Sequence, residues 1–272
     1  MTRVEQGRTL AVAAVSFLLI GVLPAAAATL QSHQARYRLT PTAVTMPGAV
    51  SARDGILVIR VEERCTDWLV YSKLQITMNM ENGNELTVSS TSTLEEAKDS
   101  TSLVFDSEIL FNGNAVQSHA GIARAPEAGA AGTIEFTENT SNGDTATLPA
   151  GAYFPVATYW RTVERIAEGE KVMDYMMFDG SGSTPLRATD VIAGPPKNRP
   201  APEINESGLI TDTGWRVITS FFDIDATDAP PTSTNIFELY DSGVTGWIKY
   251  DIGLVEVDGD MVALEKLPAP SC

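Results

Sequence analysis

Histidine and cysteine are scarce in this 272-residue chain, with two of each, and that scarcity excludes more chemistry than any motif supplies. His33 and His119 lie far apart, and neither has a serine or carboxylate beside it in a recognisable pattern. A G-x-S-x-G elbow is absent, because Gly180-Ser181-Gly182-Ser183 has the wrong spacing. A Ser-His-Asp site assembled purely by geometry stays open at this level. Two histidines and Cys65 with Cys272 give no zinc spacing, and no CxxC pair exists for thiol exchange. The sequence therefore assigns no catalytic residue, no cofactor-binding residue and no metal ligand. Cations are short too: 19 Lys+Arg face 35 Asp+Glu, a formal charge of −16 that repels phosphate backbones and argues against nucleic acid as a partner.

Long apolar runs are also missing, except at the start. Arg3 and Arg8 precede an apolar core from Leu10 to Leu23, followed by Pro24 and the Ala25–Ala28 run. This pattern predicts a signal peptide over residues 1–28, cleaved near Ala28, and a mature periplasmic protein over 29–272. At roughly 14 residues the core is short of the roughly 20 a membrane-spanning helix needs, so cleavage is preferred to an uncleaved anchor. No cysteine follows it to be lipidated, and no later segment is long and apolar enough to span a bilayer. In an oxidising compartment an even count of two cysteines predicts one disulfide, Cys65–Cys272. Such a bond would enclose nearly the whole mature chain.

What is present is strand signal. Ile56 to Val61 is an apolar, β-branched run, and Leu74, Ile76, Met78 and Met80 alternate with polar residues. Asn82-Gly83, Asn112-Gly113 and Asn142-Gly143 mark hairpin turns between strand-like segments. The segments around these turns do not match one another, so they read as a meander of similar strands and not as a sequence repeat. Strand pattern resumes at Val172–Phe178, Trp215–Ile224, Ile236–Tyr240 and Trp247–Ile252. A terminal hairpin is expected, with Leu254–Val257 and Met261–Leu264 joined at Asp258-Gly259-Asp260. Gly194 to Gly208, rich in proline, reads as an exposed, mobile loop. One stretch differs: from Phe154 to Ala167, Val156, Tyr159/Trp160, Val163 and Ile166 share one face of a helix, with Pro155 suiting its first turn and Gly169 its end. The expected fold is mostly β: one domain, an antiparallel, open barrel-like sheet with one amphipathic helix.

The helix is either a structural plug or a lid over a ligand cavity, which makes Phe154, Trp160 and Val163 candidate ligand residues. Trp68, Trp160, Trp215 and Trp247 suit core packing or a sugar-binding face. Asp223, Asp225 and Asp228, and Asp258 with Asp260, offer oxygens to calcium but match no calcium-binding loop. Glu62-Glu63 and Glu95-Glu96 are pairs of the kind glycoside hydrolysis uses, though in so acidic a chain adjacent carboxylates arise by chance. Asn139-Thr140-Ser141 and Asn205-Glu206-Ser207 have the form of glycosylation acceptors, a pattern too short to carry weight.

Several scattered motifs, taken in order, resemble one family. They are His33-x-Ala35-x-Tyr37-x-Leu39, Cys65 followed by Trp68, Leu148-Pro149-Ala150-Gly151 leading to Phe154-Pro155, Phe178-Asp179-Gly180-Ser181, and the closing Leu267-Pro268-Ala269-Pro270-Ser271-Cys272. The chain resembles the EipB-like envelope integrity proteins, an alphaproteobacterial family around a domain of unknown function. The resemblance implies a β-spiral with a helix in its middle, closed by the disulfide, and a periplasmic role in cell-envelope integrity. It brings no catalytic residue or cofactor. The function expected is non-enzymatic binding of an envelope partner: a protein, peptidoglycan or a lipidic ligand. The alternatives are an envelope-acting hydrolase and a lipid or lipoprotein carrier.

Overall fold

The computed structural model describes residues 30–137, 145–224 and 229–272. The expected signal peptide, Asn139-Thr140-Ser141, the Asn142-Gly143 turn, and Asp225 and Asp228 lie outside the described residues.

The strands form one sheet. The first arm runs β1 (His33–Val44), β2 (Ala49–Ala52), β3 (Gly55–Glu63), β4 (Asp67–Met80), β5 (Glu85–Ala97), β6 (Ser102–Phe111), β7 (Asn114–Arg124), β8 (Gly132–Phe136) and β9 (Thr145–Leu148). After β10 (Ala152–Tyr153) comes helix α1 (Pro155–Ala167). The second arm continues through β11 (Val172–Met177), β12 (Leu186–Ile192), β13 (Gly214–Phe222), β14 (Ser233–Tyr240), β15 (Thr245–Asp251) and β16 (Val255–Lys266). The first arm meanders outward to β9 at one edge, with β2 set aside on β4. The second begins at the opposite edge with β10 and steps back until β16 pairs antiparallel with β1. Among the described residues only β10–β11 is parallel.

This order forces the sheet to curl. Strands β9 and β10 are its two edges, yet only Pro149, Ala150 and Gly151 separate them. Four residue steps reach at most about 14 Å, so the edges must lie close together and the sheet becomes a nearly closed cylinder. Gly151, at φ +88°, makes the turn between them. The expected meander is present, with Gly83 and Asn112-Gly113 at positive φ in their hairpins.

The expected terminal hairpin is not. Residues 255–266 form one uninterrupted strand, and Gly259 lies in its middle. A Cβ there would come within 2.5 Å of Ile248 and 3.1 Å of Leu39. The glycine serves close packing between β15 and β1, not a turn. Asp258 and Asp260 consequently lie along a strand, where no loop gathers them around a cation.

Helix α1 lies across the bore. Val156 packs with Leu30, Val61 and Trp68 on one side, and Val163 with Val217 and Leu239 on the other. Its N-cap residue Phe154 is extended and supplies no side-chain cap. Glu96 of β5 supplies it instead: the backbone amides of Val156 and Ala157 donate to its two carboxylate oxygens at 2.6 and 2.9 Å, and Ser100 Oγ donates at 2.8 Å. Burial pushes the Glu96 carboxyl up from its ordinary value, and these three hydrogen bonds pull against that. Farther along, Thr162 hydrogen-bonds Asp190 of β12, which also accepts from Thr219 and Tyr175.

The disulfide Cys65–Cys272 is formed, with Cα atoms 5.8 Å apart and a sequence separation of 207. It joins the β3–β4 turn to the segment after β16, where the Leu267 amide donates to Ser32 O. Strands β16, β1, β3 and β4 are already paired in series beneath it. It therefore sutures the seam where the two arms meet, at the helix end of the cylinder. The gap between β9 and β10 is bridged by the backbone itself.

Candidate functional site

Cross-strand partners share a face of the sheet, so the register identifies the residues that point into the bore. On β4 these include Trp68, Val70, Ser72, Leu74 and Ile76; on β5, Val88, Ser90, Ser92, Leu94 and Glu96; on β6, Leu103, Phe105, Ser107 and Ile109. The two ends of the bore are filled differently. Around α1, Leu94, Leu103, Phe105, Phe136, Phe154 and Phe178 form a tight cluster, with Phe105 edge-on to Phe136 and Phe178 at 5.8 and 5.2 Å. Gly180, at φ +70°, sits so close to Phe105 that a Cβ would come within 2.5 Å of its side chain. The Phe178-Asp179-Gly180-Ser181 motif thus turns inside the bore and ends the packed region, and Gln117 Nε2 donates to Ser181 O at 2.8 Å.

Beyond that plug the bore is hollow. One cavity of about 300 Å³ lies between β3–β4 and β14–β15, against Leu57, Ile59, Phe237 and Ile248. A second of about 540 Å³ extends past Leu74, Val88, Ile109 and Phe111 toward the β15–β16 turn at Gly253. Both touch Leu57, Ser72 and Tyr250, so they adjoin. Each lies in the size range of small-molecule sites.

Small residues create the space. Ser72 pairs with Ser92, Ser92 with Ser107, and Ser107 with His119, in register across four strands. This hydroxyl belt occupies positions where leucine or valine would fill the bore. Ser92 Oγ and Ser107 Oγ bond each other at 3.0 Å. His119 Nδ1 is buried without a partner among the described residues. The hydroxyls of Ser72, Ser90 and Tyr250 make no hydrogen bond among the described residues. Burial pushes the Tyr250 phenol above its ordinary value, and Asp179 and Asp251 add to the shift. It stays a neutral donor at the junction of the two cavities.

The residues singled out from sequence lie elsewhere. Phe154, Trp160 and Val163 belong to the packed clusters around α1 and border neither of these cavities. Trp68 and Trp215 pack against the helix, and Trp247 lies under Arg216 with the guanidinium 5.1 Å from the ring. Glu95 faces away from Glu96 and pairs with Arg64 at 2.9 Å. Glu62 pairs with Arg60 and Glu63 with Lys98. Neither acidic pair converges on one point, because successive strand residues alternate faces. The proline-rich loop is largely exposed but held: Arg199 donates to the carbonyls of Thr211 and Asp212, and the Asn205 side chain bonds both the amide and the carbonyl of Ile210. His33 is buried at the helix end with Nδ1 2.7 Å from Gln31 O; burial lowers its pKa, and that hydrogen bond raises it by less. Among the described residues no cluster of three or more His, Cys, Asp or Glu side chains is placed to hold a metal, and no helix is long and apolar enough to cross a membrane.

Comparison with known proteins agrees with this architecture. A crystal structure of a beta-barrel-like protein of domain of unknown function DUF1849 from Brucella abortus aligns with a TM-score of 0.76. The alignment covers 89% of this chain and 100% of that one at 20% sequence identity, a likeness of fold. No curated protein sequence matches the chain. A family model described as EipB-like matches residues 24–268, nearly the whole length. The chain belongs to the EipB-like family.

Proposed function

We propose that this is a non-enzymatic periplasmic protein of a single domain that supports cell-envelope integrity by holding an envelope component in the hollow end of its cylinder. The observation that carries this reading is the pair of adjoining cavities, the first largely apolar and the second mixed, with hydroxyls at Ser72, Ser90 and Tyr250 that have no partner among the described residues. A site of that composition recognises and retains; it has the donors to orient a guest. Membership of the EipB-like family supports the envelope assignment, and the disulfide accords with an oxidising compartment.

The test is crosslinking and co-purification from envelope extracts, comparing the native chain with Ser90→Leu, which fills the bore. Recovery of an envelope component by the native chain and its loss in the variant are expected. A native protein that stays monodisperse and empty, with no affinity for envelope material, overturns the proposal.

A further inference from the structure

The chemistry of the cavity walls specifies the guest more narrowly. We infer that the bore takes a single acyl chain carrying an uncharged carbonyl head, an ester or amide, with the carbonyl at Tyr250 and Ser72 and the chain running along the apolar walls. This rests on the reading that the bore is a binding site and adds the ligand class.

Three observations carry it. First, the space is elongated: two cavities meet at Leu57, Ser72 and Tyr250, and each continues along apolar side chains, Ile59, Phe237 and Ile248 one way and Val88, Ile109 and Phe111 the other. An unbranched hydrocarbon matches such walls, since removing apolar surface from water is the main source of binding free energy there. Second, the free polar groups at the junction are hydroxyls without partners, and hydroxyls donate to a carbonyl oxygen. Bare hydrocarbon at the junction would strip these hydroxyls of water without replacing its hydrogen bonds, so a ligand acceptor there is favoured over bare hydrocarbon. Third, the local charge disfavours an anionic head. Asp179 and Asp251 act on Tyr250, Lys249 is engaged by Glu256 at 3.2 Å, and the chain carries −16 overall. Asp251 lines the second cavity beside Tyr250, so a cationic amphiphile that displaces the fluorophore at lower concentration than 1-monooleoylglycerol would overturn the uncharged head.

The test uses the purified chain and the neutral apolar fluorophore N-phenyl-1-naphthylamine, displaced by 1-monooleoylglycerol, by oleate or by octadecane. Displacement by 1-monooleoylglycerol at lower concentration than by either competitor is expected. Tyr250→Phe should weaken 1-monooleoylglycerol about tenfold relative to octadecane, as for one lost hydrogen bond. Ser72→Ala is the second variant, expected to act in the same direction if Tyr250→Phe fails to fold. Ser90→Leu should abolish binding of all four compounds. If the fluorophore binds and Ser90→Leu blocks it, but oleate or octadecane competes as well as 1-monooleoylglycerol, the carbonyl-headed acyl class is wrong and the bore remains a binding site. If nothing binds, this inference fails, and the envelope crosslinking decides the broader reading independently.

Discussion

The two ends of the cylinder are made from the same strands and differ in what fills them. At the helix end the bore is occupied by α1 and phenylalanines, the helix is fixed by Glu96 and Asp190, and the disulfide sutures the seam outside. Toward the turns, the same strands present serine and leave a chamber. The difference teaches that one end is plugged and the other is walled. Tyr37, Leu39, Ile76, Met78 and Val257 are buried around the chamber together with its lining residues Leu57, Leu74, Val88 and Ile248, so the hollow end has an apolar shell of its own and only the bore inside it stays open.

Mutations at the two ends should therefore separate. The largest loss is expected for Phe105→Ala, which removes the centre of the aromatic cluster and should cost about 3–5 kcal/mol in denaturant unfolding. Cys272→Ser should cost about 2–5 kcal/mol by the same measurement, and free-thiol titration of the oxidised, unfolded native chain should find no thiol. Two thiols in that titration would break the seam description. Glu96→Ala should cost about 1–2 kcal/mol, because two buried helix amides lose their acceptor.

A smaller effect is expected from pH. His33 has a folded pKa below its unfolded value, so the folded state resists a proton that the unfolded state takes up. Its contribution is complete above about pH 6.5 and is lost as pH falls from there toward the folded value. Thermal unfolding between pH 7.5 and 5.5 should show the native chain losing stability toward acid and His33→Asn losing less. Glu96 and Asp190, both raised, act with the opposite sign: their contribution is present below the usual carboxylate range and fades as pH rises through their folded values. The smallest change in stability is expected at the hollow end, where Ser72→Ala should stay within about 0.5 kcal/mol of the native chain. A loss there as large as that of Phe105→Ala would erase the distinction between the two ends.

Much of the fold was legible because its signals are local. The alternation on β4, the Asn82-Gly83 and Asn112-Gly113 turns, the amphipathic face of α1 and the parity of the cysteines each sit within a short window or a simple count. Asp258-Gly259-Asp260 misled because the same glycine that permits a turn also permits close approach, and it takes Ile248 and Leu39, on neighbouring strands, to decide between them. The chamber was not legible at all. Between Val88 and Leu94 five hydroxyl residues follow one another, and nothing in that run says that Ser90 and Ser92 point inward. The belt exists only once hairpin lengths have placed Ser72, Ser92, Ser107 and His119 side by side. Glu96 was read as half of an acidic pair, since its partner amides lie 60 residues away.

The pairing of β1 with β16 also imposes an order of events. A chain emerges from the ribosome or through a membrane from its N-terminal end, so β1 appears first and its neighbour on one side appears last. Until residues 255–266 arrive, one edge of β1 is an unpaired template exposed to any passing strand. Contacts this distant in sequence form slowly, and the cylinder cannot be completed piecemeal. That first edge therefore stays open for the whole of synthesis, and it closes only when the last strand docks.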